Sequence, residues 1–298
     1  MRSPRTPPAA RRRRRPRRGA TAAATGALVI LLTACGAGDP DPDATEPPAA
    51  DTTATSPALP PTTGTFDYQL GDAYGEAGEF DVVGRDVTAD PLPDAYNVCY
   101  VNGFQTQPGT LEDWRRDAPD ALLRDASGAV VTDPDWPDEV VLDPSDEQRR
   151  AAILAVVGPQ VSACAERGFD AVELDNLDTF LRFDGVDADG AMTLATAYAD
   201  LAHGAGLAVG QKNAADVGAD AREVAGFDFA VVEECARYDE CGAYRDVYGE
   251  HVLQIEYDDG GPDLAEVCDA PDRAPLTILR DRLLVGPDDP SYVREQCD

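Results

Sequence analysis

The feature that most constrains the fold of this chain is a short apolar run, residues 168–176, that ends abruptly in polar side chains. Its apolar part has the composition of a buried strand, and Asp175 and Asn176 stand where that strand would end. The same pattern returns at residues 208–213 and 227–235, each time after a stretch of helical periodicity. Apolar strands that alternate with helices and end in acids, amides and a lysine indicate a parallel α/β sheet. In such sheets the functional site lies at the carboxyl ends of the strands.

Eight candidate strands follow this pattern, at residues 66–70, 80–87, 96–101, 171–175, 207–212, 227–233, 252–257 and 276–281. Between them, residues 146–167 and 189–205 carry apolar side chains at three- and four-residue steps, as amphipathic helices do. Eight β/α steps predict a single (β/α)8 barrel, the TIM-like fold, over residues 66–298, rather than two small domains. The long segment 103–144 contains both tryptophans and is expected to form part of a cleft at the barrel mouth.

The first 34 residues have the composition of an export signal. Nine arginines precede a short apolar stretch, residues 27–32, which is too short to cross a bilayer as a permanent helix. The stretch closes with Leu-Thr-Ala-Cys at positions 32–35, which resembles the lipobox of bacterial lipoproteins. The resemblance implies a lipid anchor on Cys35 and an extracytoplasmic protein held at the cell membrane. The alternative is an ordinary secretory signal cleaved near Ala34, and either the Sec or the twin-arginine route fits.

Residues 35–65 are rich in Pro, Ala, Thr and Asp. Such a segment cannot bury enough apolar surface to fold, so it is predicted to be a disordered tether. It would let the folded domain stand off from a membrane surface.

The chain is strongly acidic, with a formal net charge of −31. Without the nine arginines of the signal, 16 basic residues face 56 acidic ones, a net charge of −40, and Lys212 is the only lysine. This charge argues against binding to nucleic acid or anionic lipid, because it repels both. Solubility or salt tolerance would explain it, and so would attraction of a cationic substrate; the two explanations are compatible.

Six cysteines follow Cys35, an even number that in an exported protein indicates up to three disulfides. Proximity along the chain favours Cys235 with Cys241 and Cys268 with Cys297, which leaves Cys99 with Cys164. A metal site is the rival interpretation, but the spacing matches no zinc pattern and the chain has two histidines. We therefore expect neither a metal nor a cofactor.

Two carboxyl groups are predicted to face each other across the barrel mouth, Asp175 at the end of the fourth strand and Glu233 at the end of the sixth. Glycosidic cleavage uses such a pair, one to protonate the leaving oxygen and one as nucleophile or base. Asn176 and Lys212 are expected to keep Asp175 ionised as the nucleophile or base. Acids near Glu233 are expected to raise its pKa, which would suit a general acid. The alternative is a buried ion-pair network that merely fills the barrel.

Other side chains are candidates for substrate binding. Glu173 lies two residues before Asp175, so it points to the same face, deeper in the barrel. Lys212 and Asn213 end the strand between the two acids, where Lys212 would bind a sugar hydroxyl or lower the pKa of a carboxylate. Tyr100 and Trp136 offer aromatic faces for the apolar side of a pyranose ring, or else cap the core.

Several motifs resemble, in the same order, those of one enzyme family. Residues 168–178, GFDAVELDNLD, resemble the segment GFDGVEPDNVD of the endo-α-1,4-polygalactosaminidase family, glycoside hydrolase family 114. Further similar segments extend over nearly the whole predicted barrel, at residues 68–70, 99–100, 114–115, 136–139, 142–143, 202–203, 206–207, 210–213, 227–230, 233–235, 240–241 and 256–257. Among them, WPDE resembles the family's WPGE, and GQKN resembles its GLKN.

The resemblance implies a TIM-like barrel that cleaves α-1,4-linked galactosamine polymers internally. These polymers are cationic when deacetylated, which suits an acidic domain. The resemblance places the catalytic acids at Asp175 and Glu233, and we assign substrate contacts to the positions Tyr100, Trp136, Asp143, Glu173, Asn176, Lys212, Asn213, Tyr238 and Glu256. The chain departs from the family at Leu174, Val232 and Glu234, where the family has proline, asparagine and glutamine. The last two changes bear on substrate preference more than on the reaction, since both presumed acids remain.

The prediction is thus a monomeric, lipid-anchored glycoside hydrolase with a cationic amino-sugar polysaccharide as substrate. Two alternatives stay open, a non-catalytic polysaccharide-binding lipoprotein on the same barrel and a hydrolase of another α-linked sugar polymer. Whether the reaction retains or inverts the anomeric configuration depends on the separation of the two carboxyl groups, which no sequence pattern encodes.

Overall fold

The computed structural model describes residues 56–298. The predicted signal peptide, Cys35 and the tether up to residue 55 lie outside the described residues. Within residues 56–298, no helix combines the length and the apolar character needed to span a membrane.

A sheet of nine strands, arranged in chain order, forms the centre of the fold. The strands are β1 (Phe66–Gln69), β2 (Val82–Asp86), β3 (Tyr96–Asn102), β4 (Ala171–Asp175), β5 (Ala208–Lys212), β6 (Phe229–Glu233), β7 (Val252–Tyr257), β8 (Leu276–Arg280) and β9 (Arg294–Gln296). Each pair from β1 to β8 is parallel, and β9 runs antiparallel to β8. The predicted TIM-like (β/α)8 barrel is confirmed, with a ninth strand that was not predicted.

Helices follow most of the strands. They are α1 (Leu111–Asp117), α2 (Glu147–Arg167), α3 (Thr179–Arg182), α4 (Ala188–Gly204), α5 (Gly218–Asp220), α6 (Cys241–Tyr248) and α7 (Leu264–Asp269), with a π-helical turn at Ala221–Ala225 directly after α5. The side chain of Asp146 caps α2 by accepting a hydrogen bond from the Arg149 amide, and Gly168 ends the helix in a left-handed conformation.

Side chains alternate along each strand between the barrel interior and the layer beneath the helices. On β6 and β7, Phe229, Val231, Leu253, Ile255 and Tyr257 belong to the interior cluster. Cys99, Val172, Val209 and other residues on the opposite faces pack in the cluster that the helices cover. This alternation decides which strand-end residues reach the barrel mouth.

Two glycines make room for aromatic rings inside the barrel. A Cβ atom on Gly84 would lie 2.5 Å from the Tyr68 ring, and one on Gly210 would lie 2.7 Å from the Phe229 ring. No real Cβ approaches a ring so closely, so these positions require glycine.

The barrel closes between β1 and the β8–β9 pair through side chains rather than through a ladder of backbone bonds. Gln296 accepts a hydrogen bond from the Phe66 amide at 3.0 Å, and Arg294 donates to the Phe66 carbonyl at 2.7 Å. Arg280 donates to the Tyr68 carbonyl, and Asp67 accepts from the Tyr68 amide at 2.9 Å. Polar side chains therefore satisfy the backbone groups at this edge, as buried backbone groups require.

Contacts with the barrel begin before the predicted domain boundary at residue 66. The Tyr96 hydroxyl donates to the Ala58 carbonyl at 2.7 Å, and Gln296 donates to the Gly64 carbonyl at 2.7 Å. The end of the predicted tether therefore lies against the barrel.

The three predicted disulfides are confirmed. Cys99–Cys164 joins β3 to α2, Cys235–Cys241 closes a short loop between β6 and α6, and Cys268–Cys297 joins α7 to the C-terminus. Such cross-links typically stabilise a folded domain by about 2–4 kcal/mol each.

Candidate active site

A cavity of about 880 Å³ opens at the carboxyl ends of the strands. This size is in the range of pockets that bind small molecules or sugar units. Eight of the predicted site residues line it, namely Tyr100, Trp136, Asp175, Asn176, Lys212, Asn213, Glu233 and Tyr238. The structure therefore gathers residues from β3, β4, β5 and β6 and from two loops at one opening.

Three of the strands with predicted functional side chains, β4, β5 and β6, end in the same way. Asn176, Asn213 and Glu234 each follow a strand with a positive φ, of 67°, 48° and 57°. This left-handed conformation is uncommon outside glycine, although asparagine tolerates it. It turns the chain sharply at the point where Asp175, Lys212 and Glu233 face the cavity.

The β6 wall of the cavity consists of Lys212, Asn213, Glu233 and Tyr257, and it holds Glu233 as an anion. Lys212 Nζ lies 3.2 Å from Glu233 Oε2, and Asn213 Nδ2 donates to the same oxygen at 3.1 Å. The Tyr257 hydroxyl donates to Oε1. Burial raises the pKa of Glu233, but the Lys212 charge and these hydrogen bonds outweigh it and hold the pKa below its usual value.

This finding corrects one expectation. Sequence analysis predicted that neighbouring acids would raise the pKa of Glu233, whereas the net effect of its surroundings is to lower that pKa. The reason is Lys212, which ends the neighbouring strand β5 and is shared between Glu233 and Glu173, at 3.2 Å from each.

Glu173 is fully buried below the cavity, where it pairs with Lys212 of the β6 wall. The Tyr68 hydroxyl donates to Glu173 Oε1 at 2.7 Å and lies 3.0 Å from Lys212 Nζ. Burial raises the pKa of Glu173 to about 7, although Lys212 and the Tyr68 hydrogen bond act in the opposite direction. Burial lowers the pKa of Lys212, but the charges of Asp175, Glu233 and Glu173 outweigh it, so the lysine remains cationic.

The β4 wall faces the same cavity and consists of Tyr100, Glu139, Asp175 and Asn176. The Tyr100 hydroxyl donates to Asp175 Oδ2 at 2.7 Å, and the backbone N–H of Asn176 donates to Oδ1 at 2.8 Å. Both oxygens of Asp175 therefore have a donor, and the side chain is fixed toward the cavity.

Glu139 is a further carboxyl group in the cavity lining, and the predicted site did not include it. Its Oε2 atom accepts a hydrogen bond from Asn102 at 2.8 Å. Burial and the nearby charge of Asp175 raise the pKa of Glu139 to about 7. It lies in the WPDE motif, which matched the family, but its position depends on how the loop 103–144 folds over the barrel mouth.

An arginine that also lines the cavity supports the β6 wall. The Arg282 guanidinium stacks on the Tyr257 ring, 4.0 Å from its centre. It also donates to both oxygens of Glu234, at 2.8 and 2.9 Å, and to Asp259. Glu234 stands where the polygalactosaminidase family that the sequence resembles has glutamine. Its negative charge is paired with Arg282 at 2.8 Å and with Arg237 at 2.6 Å.

Three predicted substrate contacts do not line the cavity. Glu173 is fully buried, Glu256 is 1% exposed, and Asp143 binds the Ser145 amide at 3.1 Å outside the cavity. Glu256 accepts hydrogen bonds from the Ala236 amide and from Gln254, both at 2.9 Å. Glu256 lies on the helix-facing side of β7, and its neighbour Tyr257 is the residue that reaches the site.

The alternation of side chains along β7 predicts that Tyr257, rather than Glu256, faces the barrel interior. Leu253, Ile255 and Tyr257 continue one alternating set, so the residue on the barrel side at the end of the strand is the tyrosine. Arg282 lies beyond the last parallel strand, in a segment without a recognisable motif, and no sequence signal pointed to it.

Cys235, Cys241 and Glu256 lie close enough together to resemble a metal site within the described part of the chain. The two sulfurs are joined to each other in a disulfide. They are therefore not thiolates, and thiolates are the form in which cysteine binds metals.

Comparisons with known proteins agree with the observed fold. A family model for glycoside-hydrolase family GH114 matches residues 45–298. Among solved structures, Aspergillus fumigatus Ega3 in complex with galactosamine superimposes with a TM-score of 0.60 at 20% identity, covering 82% of this chain and 98% of that chain. The glycoside hydrolase domain of PelA from Pseudomonas aeruginosa superimposes with a TM-score of 0.55 at 14% identity, covering 77% and 96%. No curated protein matches the chain.

Proposed function

Since this chain belongs to glycoside-hydrolase family GH114, and is therefore a glycoside hydrolase, we propose that it cleaves α-1,4-linked galactosamine polymers internally, with Asp175 and Glu233 as its catalytic carboxyl groups. The observation that carries this proposal is the arrangement of the cavity. One wall presents Asp175 and the other presents Glu233, and each carboxylate is fixed by a tyrosine hydroxyl and by further donors.

The chemistry of glycosidic cleavage fits this pair. One carboxyl group protonates the leaving oxygen while the other acts on the anomeric carbon, directly or through a water. Lys212 and Asn213 keep the Glu233 carboxylate from rotating, and Tyr100 does the same for Asp175. Fixed groups of this kind lower the barrier because they need little reorganisation during the reaction.

A galactosamine polymer is the proposed substrate for two reasons. The solved structure of Ega3, which has the same fold, is a complex with galactosamine. The chain without its signal region has a net charge of −40, which attracts a polymer of ammonium groups. Trp136 and Tyr238, each 60% exposed at the cavity rim, offer aromatic faces to sugar rings on either side of the carboxyl pair.

The ionisation of Glu233 bears on the order of the catalytic roles. Its pKa is held low in the free protein, so Glu233 starts as an anion and would act as general acid only after substrate has changed its surroundings. The configuration of an azide product distinguishes the roles. Azide that replaces a missing nucleophile or base attacks the substrate directly and gives a sugar azide of inverted configuration, whereas azide that attacks a covalent sugar–enzyme intermediate in a variant without the acid gives one of retained configuration. An inverted azide product from Asp175→Ala would support the predicted order, and one from Glu233→Ala would reverse it.

The test of the function is incubation of the protein with deacetylated α-1,4-galactosamine oligomers, with products read by mass spectrometry. We expect shorter oligomers from cleavage at internal bonds, and none from the Glu233→Gln variant. Oligomers that bind but stay intact would contradict the proposed reaction and favour a polysaccharide-binding protein. Cleavage of neutral α-linked galactose oligomers at an equal rate would contradict the proposed substrate.

The location is a separate part of the proposal. The lipobox-like segment supports an extracytoplasmic protein with a lipid on Cys35. We expect Cys35→Ala to move the protein out of the membrane fraction, as measured by fractionation and immunoblotting. An unchanged distribution would argue against lipid anchoring.

A further inference from the structure

The cavity contains a carboxyl group, Glu139, for which the two-carboxylate reaction has no role. A tight turn, closed by a hydrogen bond of 2.9 Å from the Glu139 amide to the Trp136 carbonyl, brings both side chains to the cavity. Glu139 is more than nine-tenths buried, at 8% exposure. Asn102 holds its Oε2 atom at 2.8 Å, and no other side chain among residues 56–298 forms a hydrogen bond to the carboxyl group.

Charges on three neighbouring elements act on Glu139. Asp175 on β4 and Asp133 on the loop repel its anionic form, and Arg182 on α3 attracts it. Arg182 is already engaged, at 2.6 Å from Asp133 and 3.0 Å from Asp178. Lys212, on the β6 wall, interacts electrostatically with Asp175. Among residues 56–298 no cation forms a hydrogen bond or ion pair with Glu139 itself, whose carboxyl group has Asn102 as its side-chain partner. Burial and the Asp175 charge accordingly raise the pKa of Glu139 to about 7.

We propose that Glu139, together with Asp175 and the exposed ring of Trp136, forms a subsite for the ammonium group of one galactosamine unit, and that Glu139 loses its proton when this group enters. The inference rests on the proposed function and names the group that selects the amino sugar. A cation placed next to both carboxyl groups relieves their repulsion, whereas a neutral hydroxyl or an N-acetyl group does not. Trp136, 60% exposed, lies at the rim where a sugar ring would stack.

The proton balance of this step is simple. At pH 6 the free protein holds a proton on Glu139, and the bound complex holds an ammonium–carboxylate pair instead. The proton passes to the buffer, so binding releases close to one proton per occupied subsite. Deacetylated units gain the ion pair, and acetylated units leave the proton on Glu139.

Isothermal titration calorimetry measures this release directly. The Glu233→Gln protein, which is not expected to cleave its ligand, is titrated at pH 6 with deacetylated α-1,4-galactosamine oligomers in buffers of different ionisation enthalpy. We expect a release approaching one proton, and no release with N-acetylated oligomers. Adding Glu139→Gln should abolish the release and weaken binding by about tenfold or more, because a hydrogen bond to a charged group is lost.

Asp138→Asn in the same Glu233→Gln protein is the matched control, since Asp138 is exposed in the same turn and does not line the cavity. It should preserve both proton release and affinity. Binding without proton release would overturn the inference, and this measurement does not require the Glu139 variant to fold. Persistent release and affinity in a folded Glu139→Gln protein would overturn it too.

The outcomes separate this inference from the proposed function. Normal cleavage of galactosamine oligomers by an otherwise native Glu139→Gln protein, with unchanged preference over N-acetylated ones, would reject the subsite and leave the function intact. Failure of the native protein to cleave or bind these oligomers would reject both.

Discussion

The β6 wall and the β4 wall of the cavity have similar components but opposite electrostatics. Each wall fixes a carboxylate with a tyrosine hydroxyl, Tyr257 for Glu233 and Tyr100 for Asp175. Lys212 lies 3.2 Å from Glu233, and the pKa of Glu233 falls. Glu139 on the β4 wall has an amide as its partner, and its pKa rises to about 7.

The difference shows that a lysine and two further hydrogen-bond donors together hold Glu233 ionised. The lysine alone is not sufficient, because Glu173 also lies 3.2 Å from Lys212 and its pKa is raised to about 7. Burial by itself raises the pKa of both Glu233 and Glu139. Only Glu233 has an adjacent cation and two further donors to overcome that effect. Glu233 on the β6 wall is therefore held as an anion. Glu139 on the β4 wall keeps a proton, which a cationic ligand would displace.

The largest expected effect comes from removing either carboxylate. We expect Glu233→Gln and Asp175→Asn each to lower kcat by more than about a hundredfold, because general acid–base or nucleophilic catalysis is lost. Steady-state kinetics on galactosamine oligomers would measure this, and thermal unfolding would verify the fold. Asp138→Asn, which removes an exposed acid near the cavity, should remain active; full activity in either carboxylate variant would remove that residue from the mechanism.

Removing the lysine should make the β6 wall resemble the β4 wall. In Lys212→Met, Glu233 loses its adjacent cation, so its pKa rises, and the limb of the pH–rate profile that reports Glu233 moves to higher pH by about one unit or more. If Glu233 acts as the nucleophile or base, the acidic limb moves and kcat/KM at pH 6 should fall by roughly tenfold to hundredfold, an effect of about 1.4–2.7 kcal/mol. If Glu233 acts as the acid, the alkaline limb moves instead, and this shift does not lower kcat/KM at pH 6. An unchanged profile would mean that Lys212 does not set the ionisation of Glu233.

The positions of Lys212 and Glu233 at the barrel mouth could be predicted from the sequence. Buried strands that end in polar residues indicate the carboxyl-terminal edge of a parallel barrel. The eight parallel strands and the disulfide partners followed from similarly local patterns. The effect of Lys212 on Glu233 was not accessible, since it depends on a separation of 3.2 Å between neighbouring strands. Two opposing effects on one carboxyl group must be weighed by distance, and a sequence contains no distances.

Other parts of the site were missed for different reasons. Glu256 was the predicted substrate contact on β7, but the alternation along this strand places Tyr257 inside the barrel and Glu256 on the opposite face. Glu139 depends on long-range pairing within the loop, such as the bridges of Gln105 with Val141 and Thr132 with Val140. The ninth strand is three residues long and runs antiparallel, so it carries no βα repeat signal.

The two tyrosines allow a matched comparison of the walls at a smaller scale. Tyr257→Phe and Tyr100→Phe each remove one hydroxyl donor from a catalytic carboxylate. In Tyr257→Phe the pKa of Glu233 should rise, because the Tyr257 hydrogen bond helps to lower it. We expect losses in kcat/KM of about tenfold, since hydrogen bonds to charged groups contribute about 1.5–3 kcal/mol and the remaining donors compensate in part. Kinetics from pH 4 to pH 8 would test this, and a shift of the Glu233 limb toward lower pH in Tyr257→Phe would contradict the assigned donor direction.

The smallest expected effect concerns the aromatic residues at the rim of each wall. Trp136 and Tyr238 are equally exposed, at 60%, but Trp136 is followed in its turn by Glu139 whereas Tyr238 lies beside Arg237, whose guanidinium is 5.7 Å from its ring centre. We expect Trp136→Ala and Tyr238→Ala each to raise KM by about threefold to tenfold with little change in kcat, because aromatic contacts contribute about 0.5–1.5 kcal/mol.

The Trp136 effect should be larger for deacetylated than for N-acetylated oligomers, since the ring positions the unit whose ammonium group meets Glu139. Equal effects on both substrates would separate Trp136 from the amine subsite, and a fall in kcat without a change in KM would show that these rings act on the reaction rather than on binding.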